Sequence, residues 1–122
     1  MAIQYKSINL VEEGDFACLQ ISGKLETSDY DVFVPEIEQQ IKQYGKINLL
    51  IDLIDFHGWT LGAAWEDTKF GVRHFNDINR LAIVGDKTWE KGMAVFVKVF
   101  TLAEVKYFDI SSREEAILWV NS

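Results

Sequence analysis

One apolar run, residues 47–54 (INLLIDLI), constrains the fold of this chain more than any other feature. Only Asn48 and Asp52 interrupt it, so it lacks the alternation of a strand that faces water on one side. Runs of this kind are typical of strands covered on both faces in a parallel sheet. We therefore predict an α/β fold whose ligand site lies in the loops after the carboxyl ends of the strands.

The segment before this run predicts a hairpin and then a helix. Residues 3–10 and 16–21 are strand-like and are separated by a polar turn. Pro35 lies within the following helical pattern and is expected to kink the helix or divide it, and Gly45 is expected to end it. The apolar residues that recur at three- and four-residue spacing are Tyr30, Phe33, Ile37, Ile41 and Tyr44.

The segment after this run predicts alternating helices and strands. The expected elements are a loop over residues 55–59, a helix from about Thr60, a strand over 81–84, a helix over about 87–101, a strand over 105–108 and a C-terminal helix that Ser111 or Ser112 caps. The predicted order is ββαβαβαβα in a single domain over residues 1–122. Such alternation predicts a mixed, largely parallel five-stranded sheet with about four helices.

The predicted third helix has an unusual composition. Residues 92–103 (GMAVFVKVFTLA) carry one charge, at Lys98, and apolar residues surround the helix. A helix that is apolar all round, yet too short to span a bilayer, is either buried on two sides or immersed at an interface. We assign Trp89, Met93, Phe96 and Phe100 to the core side, which leaves Val95, Val99 and Leu102 for solvent or a partner.

Charge and cysteine content limit the classes of function. The net charge of −7 and the pI of about 4.7 argue against a nucleic-acid partner, since phosphates would repel the chain. Cys18 is the only cysteine and lies in an apolar strand, where we expect a reduced core thiol in a cytoplasmic protein. No basic segment followed by an apolar run begins the chain, and no stretch approaches the ~20 apolar residues of a membrane span.

Catalysis at the strand–helix junction is a low-ranked alternative. Asp52, Asp55 and His57 are close in sequence, and a carboxylate–histidine pair can act as base and orienting group. However, no nucleophile accompanies them, because the chain has no serine elbow and Cys18 belongs to a different strand. Two histidines alone do not form a metal pattern. We therefore expect no catalytic residues, no metal site and no cofactor.

Two segments, LLIDLIDFHGWTLGAAWEDTKFGVRH and RLAIVGDKTWEKGM, resemble the SpoIIAA-like proteins. That family is grouped with the STAS domains of anti-sigma-factor antagonists, which are bacterial regulatory proteins, and with the Sec14 (CRAL-TRIO) fold. The resemblance covers essentially the whole chain and implies a single-domain STAS-like fold, more than it implies a function. It is carried by Asp52, His57-Gly58-Trp59, Trp65-Glu66-Asp67, Val84-Gly85-Asp86 and Trp89-Glu90.

The phosphorylation motif of STAS antagonists is missing. Those proteins place an acidic residue, two serines and a glycine at the start of the helix after the third strand. Here Gly58-Trp59-Thr60-Leu61-Gly62-Ala63 stands there, and Thr60 is the only hydroxyl. Helix amides could hold a phosphate on Thr60, but a plain helix N-cap is the simpler interpretation.

The leading hypothesis is a non-enzymatic domain that binds a small apolar or lipid-like ligand, or a membrane surface, through the predicted second and third helices. His57 and Glu66 are expected to orient a polar head. A subunit interface over the same surface is an equal alternative, and a regulatory module that binds a protein through Trp59 and Thr60 is the second hypothesis. The predicted ligand- or membrane-binding residues are His57, Trp59, Trp65, Glu66, Phe70, Trp89, Met93, Phe96 and Phe100.

Overall fold

The computed structural model describes residues 2–5, 8–25, 27–59, 77–85 and 104–122. These residues form one six-stranded sheet in which the strands follow one another in chain order. The strands are β1 (Ala2–Tyr5), β2 (Ile8–Glu13), β3 (Phe16–Leu25), β4 (Ile47–Trp59), β5 (Ile78–Gly85) and β6 (Glu104–Asp109).

The sheet is mixed, as predicted. Strands β1, β2 and β3 are joined by antiparallel pairing, and strands β3 to β6 are joined by parallel pairing. The five predicted strands are β2 to β6, and β1 adds a sixth at the edge. It arises because the expected first strand over residues 3–10 is divided, with Tyr5 paired to Ile8. The apolar residues are at odd positions before this point (Ile3, Tyr5) and at even positions after it (Ile8, Leu10). A single strand would place these two sets on opposite faces of the sheet.

The N-terminal helix, Thr27–Tyr44, is a single element of 18 residues. The expected division at Pro35 is wrong, since the helix continues through it and Pro35 is exposed. Phe33 and Ile37 on either side are buried, and their packing on the sheet offsets the backbone hydrogen bond that a proline removes. Gly45 ends the helix as predicted, with φ of 84° and its amide donating to the Ile41 carbonyl at 2.7 Å.

The C-terminal helix, Arg113–Val120, follows a 3-10 turn over Ile110–Ser112. Ser112, one of the two expected residues, occupies the N-cap position, but its side chain makes no capping hydrogen bond. Instead, the Asp109 carboxylate accepts from the Ser111 amide at 3.1 Å and from the Ser111 hydroxyl at 2.7 Å. The predicted helices from Thr60 and over residues 87–101 lie outside the described residues, so the count of four helices and the full element order stay predictions.

Both faces of the sheet are covered, as the apolar run of β4 predicts. One face packs against the N-terminal helix through a large core that includes Leu49 and Leu53 of β4. The opposite face packs against the C-terminal helix through Leu50, Ala82, Val84, Phe108, Ala116 and Val120. Alternate residues of β4 therefore serve two different cores, which is why the strand needs apolar residues at nearly every position.

Strand β4 is longer than predicted. Residues 55–59, expected to be a loop, continue the strand, and Trp59 pairs with Leu25 of β3. The β3–β4 register is irregular between Ile21 and Lys24, and Gly23 there has φ of 70°, a conformation that suits glycine. Pairing with the neighbouring strand thus overrides the turn chemistry of the segment that contains Gly58.

Candidate functional site

The carboxyl end of β4 extends beyond the region in which β4 pairs with β5. Pairing of β4 with β5 ends at Asp52 and Val84, whereas pairing of β4 with β3 continues to Trp59. Residues 53–59 therefore run beyond the last residue that pairs with β5. In α/β sheets, a crevice at the carboxyl ends of parallel strands is the usual ligand site.

Asp52 is the residue at which the two pairings separate. It is fully buried, and its Oδ2 accepts a charge-assisted hydrogen bond from Nε of Arg113 at 2.5 Å. The same oxygen accepts from Nε2 of Gln20 at 3.2 Å. Oδ1 is buried and has no hydrogen-bond partner among the residues that the structure describes. The carboxylate is thus bound strongly through one oxygen only.

A row of amides continues from Asp52 across the sheet. Nδ2 of Asn9 donates to Oε1 of Gln20 at 3.0 Å, and Gln20 in turn donates to Asp52. The strand register explains this alignment, because Asn9 is opposite Gln20 in the antiparallel pair and Gln20 is opposite Asp52 in the parallel pair. Three strands therefore contribute one polar side chain each to a single row on the face that the C-terminal helix covers.

Arg113 joins this row to the C-terminal helix. Its hydrogen bond to Asp52 raises the pKa of the guanidinium further above its ordinary value, so Arg113 keeps its positive charge. Because Oδ2 is engaged by Arg113, Asp52 is suited to holding the helix in place and not to removing a proton from a substrate.

Cys18 lies beside the same guanidinium, with Sγ at 3.9 Å from Nη2 of Arg113. Burial raises the pKa of the Cys18 thiol, and the charge of Arg113 opposes that effect without cancelling it. The side chain is half-buried and packs against the core under the C-terminal helix. This environment agrees with the predicted core thiol and disfavours a nucleophile.

Of the residues nominated from the sequence, two lie on a described strand. His57 and Trp59 lie on the strand β4, and their side chains are outside the description. The remaining nominated residues, Thr60, Trp65, Glu66, Phe70, Trp89, Met93, Phe96 and Phe100, lie outside the described residues. Their roles stay predictions.

The sequence analysis did not identify two residues of this polar row, Asn9 and Gln20, or Arg113, which binds Asp52 at its end. Asn9, Gln20 and Arg113 were not nominated, although Asn9 and Gln20 are isolated polar residues within apolar strands. That signal could have indicated a buried polar pair. Their common row with Asp52 depends on strand register, and the partnership with Arg113 spans 61 positions of sequence.

The described residues contain neither a metal-binding cluster nor a membrane-spanning helix. Over these parts of the chain, no group of three or more His, Cys, Asp or Glu side chains could hold a metal ion. Within the same ranges, no helix has the length and hydropathy needed to cross a membrane.

Comparisons with known proteins agree on the fold. A family model described as SpoIIAA-like matches residues 16–121. A similar solved structure is that of an uncharacterized protein from the DUF3478 family with a SpoIIAA-like fold, from Shewanella loihica PV-4. It is 28% identical in sequence, the match covers 93% of this chain and 91% of that one, and the TM-score is 0.78. No curated protein matches the chain.

Proposed function

The chain belongs to the SpoIIAA-like family, and from this membership and the geometry of β4 we propose that it is a binding domain without catalytic activity. The proposal rests on the extension of β4 to Trp59, which lies seven residues beyond Asp52, the last residue of β4 that pairs with β5. Residues 53–59 are not paired with β5 on that side, and this is where a ligand or a partner would bind.

The chemistry of the described residues supports binding over catalysis. Among the described side chains, the buried carboxylate of β4 is that of Asp52, and it is held by Arg113 and Gln20. The one cysteine has a pKa raised by burial. A general base and a nucleophile of the usual kinds are thus unsupported among the residues that the structure describes.

We propose that the ligand is small and apolar or lipid-like. The proposal rests on the sequence of the predicted helix over residues 87–101, which is apolar nearly all round and would supply one wall of the site. Trp59, Trp65, Trp89, Met93, Phe96 and Phe100 would supply apolar contacts. His57 and Glu66 would orient a polar head, and Phe70 would extend the apolar surface.

Native mass spectrometry of freshly purified protein tests for a retained ligand. We expect an added mass that is lost on denaturation and that is reduced in Trp59→Ala. Leu118→Ala is a matched control for lost apolar area, because Leu118 is 72% exposed on the C-terminal helix. A wild-type protein that carries no added mass and takes up no fatty acid on incubation would contradict the proposal.

Sedimentation with liposomes tests the membrane version. We expect wild-type protein to co-sediment with vesicles and Val95→Asp and Val99→Asp to remain in the supernatant, because a charge opposes burial of an apolar helix face. Equal and negligible sedimentation of all three proteins would contradict peripheral membrane association. Binding of a small apolar ligand from solution would then be the version of the proposal that remains.

A regulatory module that binds another protein is the second candidate. Membership of a family grouped with anti-sigma-factor antagonists favours it. Trp59 and Thr60 would then form the contact, and Trp59→Ala or Thr60→Asp would abolish capture of a protein partner that Val95→Asp retains. Native mass spectrometry also reports the oligomeric state, so it distinguishes a second subunit on this surface from a different protein.

A further inference from the structure

We draw no further inference here: the strongest candidate, the half of the sheet face over β2 and β3 that the C-terminal helix leaves partly exposed around Asn9, Val11 and Gln20, carries none, because nothing in the part of the chain that the structure describes shows what would cover it.

Discussion

The contact between Arg113 and Asp52 shows how one residue connects two distant parts of the chain. Asp52 is fully buried in the central strand, and Arg113 begins the helix that covers that face. An ionised carboxylate at such a position needs a charged or hydrogen-bonded partner, since desolvation would otherwise destabilise the folded state. The buried and unpaired Oδ1 makes the partner on Oδ2 more important.

Arg113→Met should therefore destabilise the protein by about 2 kcal/mol. Removing one partner of a buried pair usually costs ~3–5 kcal/mol, but the side chain of Arg113 is 37% exposed, so water can replace part of the interaction. Chemical denaturation would measure the change. The double variant Asp52→Asn with Arg113→Met should lose less than the sum of the single variants, and strict additivity would contradict a direct pair. Lys42→Met is a control, because Lys42 is exposed.

Glu12 provides a second test at the residue scale. Burial, and then the charge of Glu36, raise the pKa of this carboxyl above its ordinary value of 4.5. Glu36→Gln removes the smaller contribution, so the pKa of Glu12 should fall and still remain above the ordinary value. Titration of the side-chain carboxyl carbon by nuclear magnetic resonance would measure both.

The sign of the effect on stability follows from the raised pKa. A carboxyl whose pKa is higher in the folded state binds more protons there, so its contribution to stability is greatest below 4.5 and is lost as the pH rises through the raised value. Glu36→Gln should accordingly gain stability relative to wild type across that interval. A constant difference in the free energy of unfolding between about pH 3 and pH 7 would contradict the assignment.

At the scale of elements, the N-terminal helix depends on Gln40 as well as on its apolar face. Gln40 donates two hydrogen bonds to the turn between β2 and β3, while Phe33, Ile37 and Ile41 pack on the sheet. The apolar spacing could be read from the sequence, and it predicted this helix and its end at Gly45. The hydrogen bonds of Gln40 could not be predicted from the sequence, because the turn that accepts them lies more than 20 positions earlier in the chain.

Gln40→Leu should destabilise the protein by about 1–3 kcal/mol, because two backbone carbonyls lose their donor in a partly buried position. Hydrogen exchange should show faster opening of the β2–β3 turn, with the C-terminal helix unaffected. Gln39→Leu is a control at the next position of the same helix, where the side chain is exposed. Equal destabilisation by both variants would indicate that helix propensity, and not the bonds to the turn, determines the effect.

At the scale of the whole molecule, the sheet requires both of its covers. The C-terminal helix buries Ala116 and Val120 completely, and its end is held by Arg80, whose Nη1 donates to the carbonyls of Trp119 at 2.8 Å and Ser122 at 2.9 Å. Arg80 also lies over the Trp119 ring, 5.4 Å from its centroid. A short helix of eight residues would not be stable without such packing.

Truncation after Asp109 should prevent stable folding. Without this helix, Leu50, Val84 and Phe108 would be exposed to water, at a cost of ~1.5–3 kcal/mol for each large buried side chain. The summed cost is comparable to the ~5–15 kcal/mol by which a folded domain is stable. Circular dichroism and thermal denaturation would measure the loss. Deletion of residues 1–7 should retain a cooperative transition, since β1 is an edge strand that, among the described strands, pairs with β2 alone. Equal loss in both truncations would contradict this.

The sequence alone determined the class of fold, because periodicity and apolar content are local properties. The nearly continuous apolar run over residues 47–54 predicted a strand covered on both faces, and the described sheet confirms it. The extra strand β1, the continuity of the helix through Pro35 and the extension of β4 to Trp59 were decided by tertiary structure, since strand pairing and core packing outweigh local turn and proline preferences. The polar row that ends at Asp52, like the hydrogen bonds of Gln40, also required the tertiary structure. Register and helix packing bring such residues together, and neither can be read from spacing along the chain.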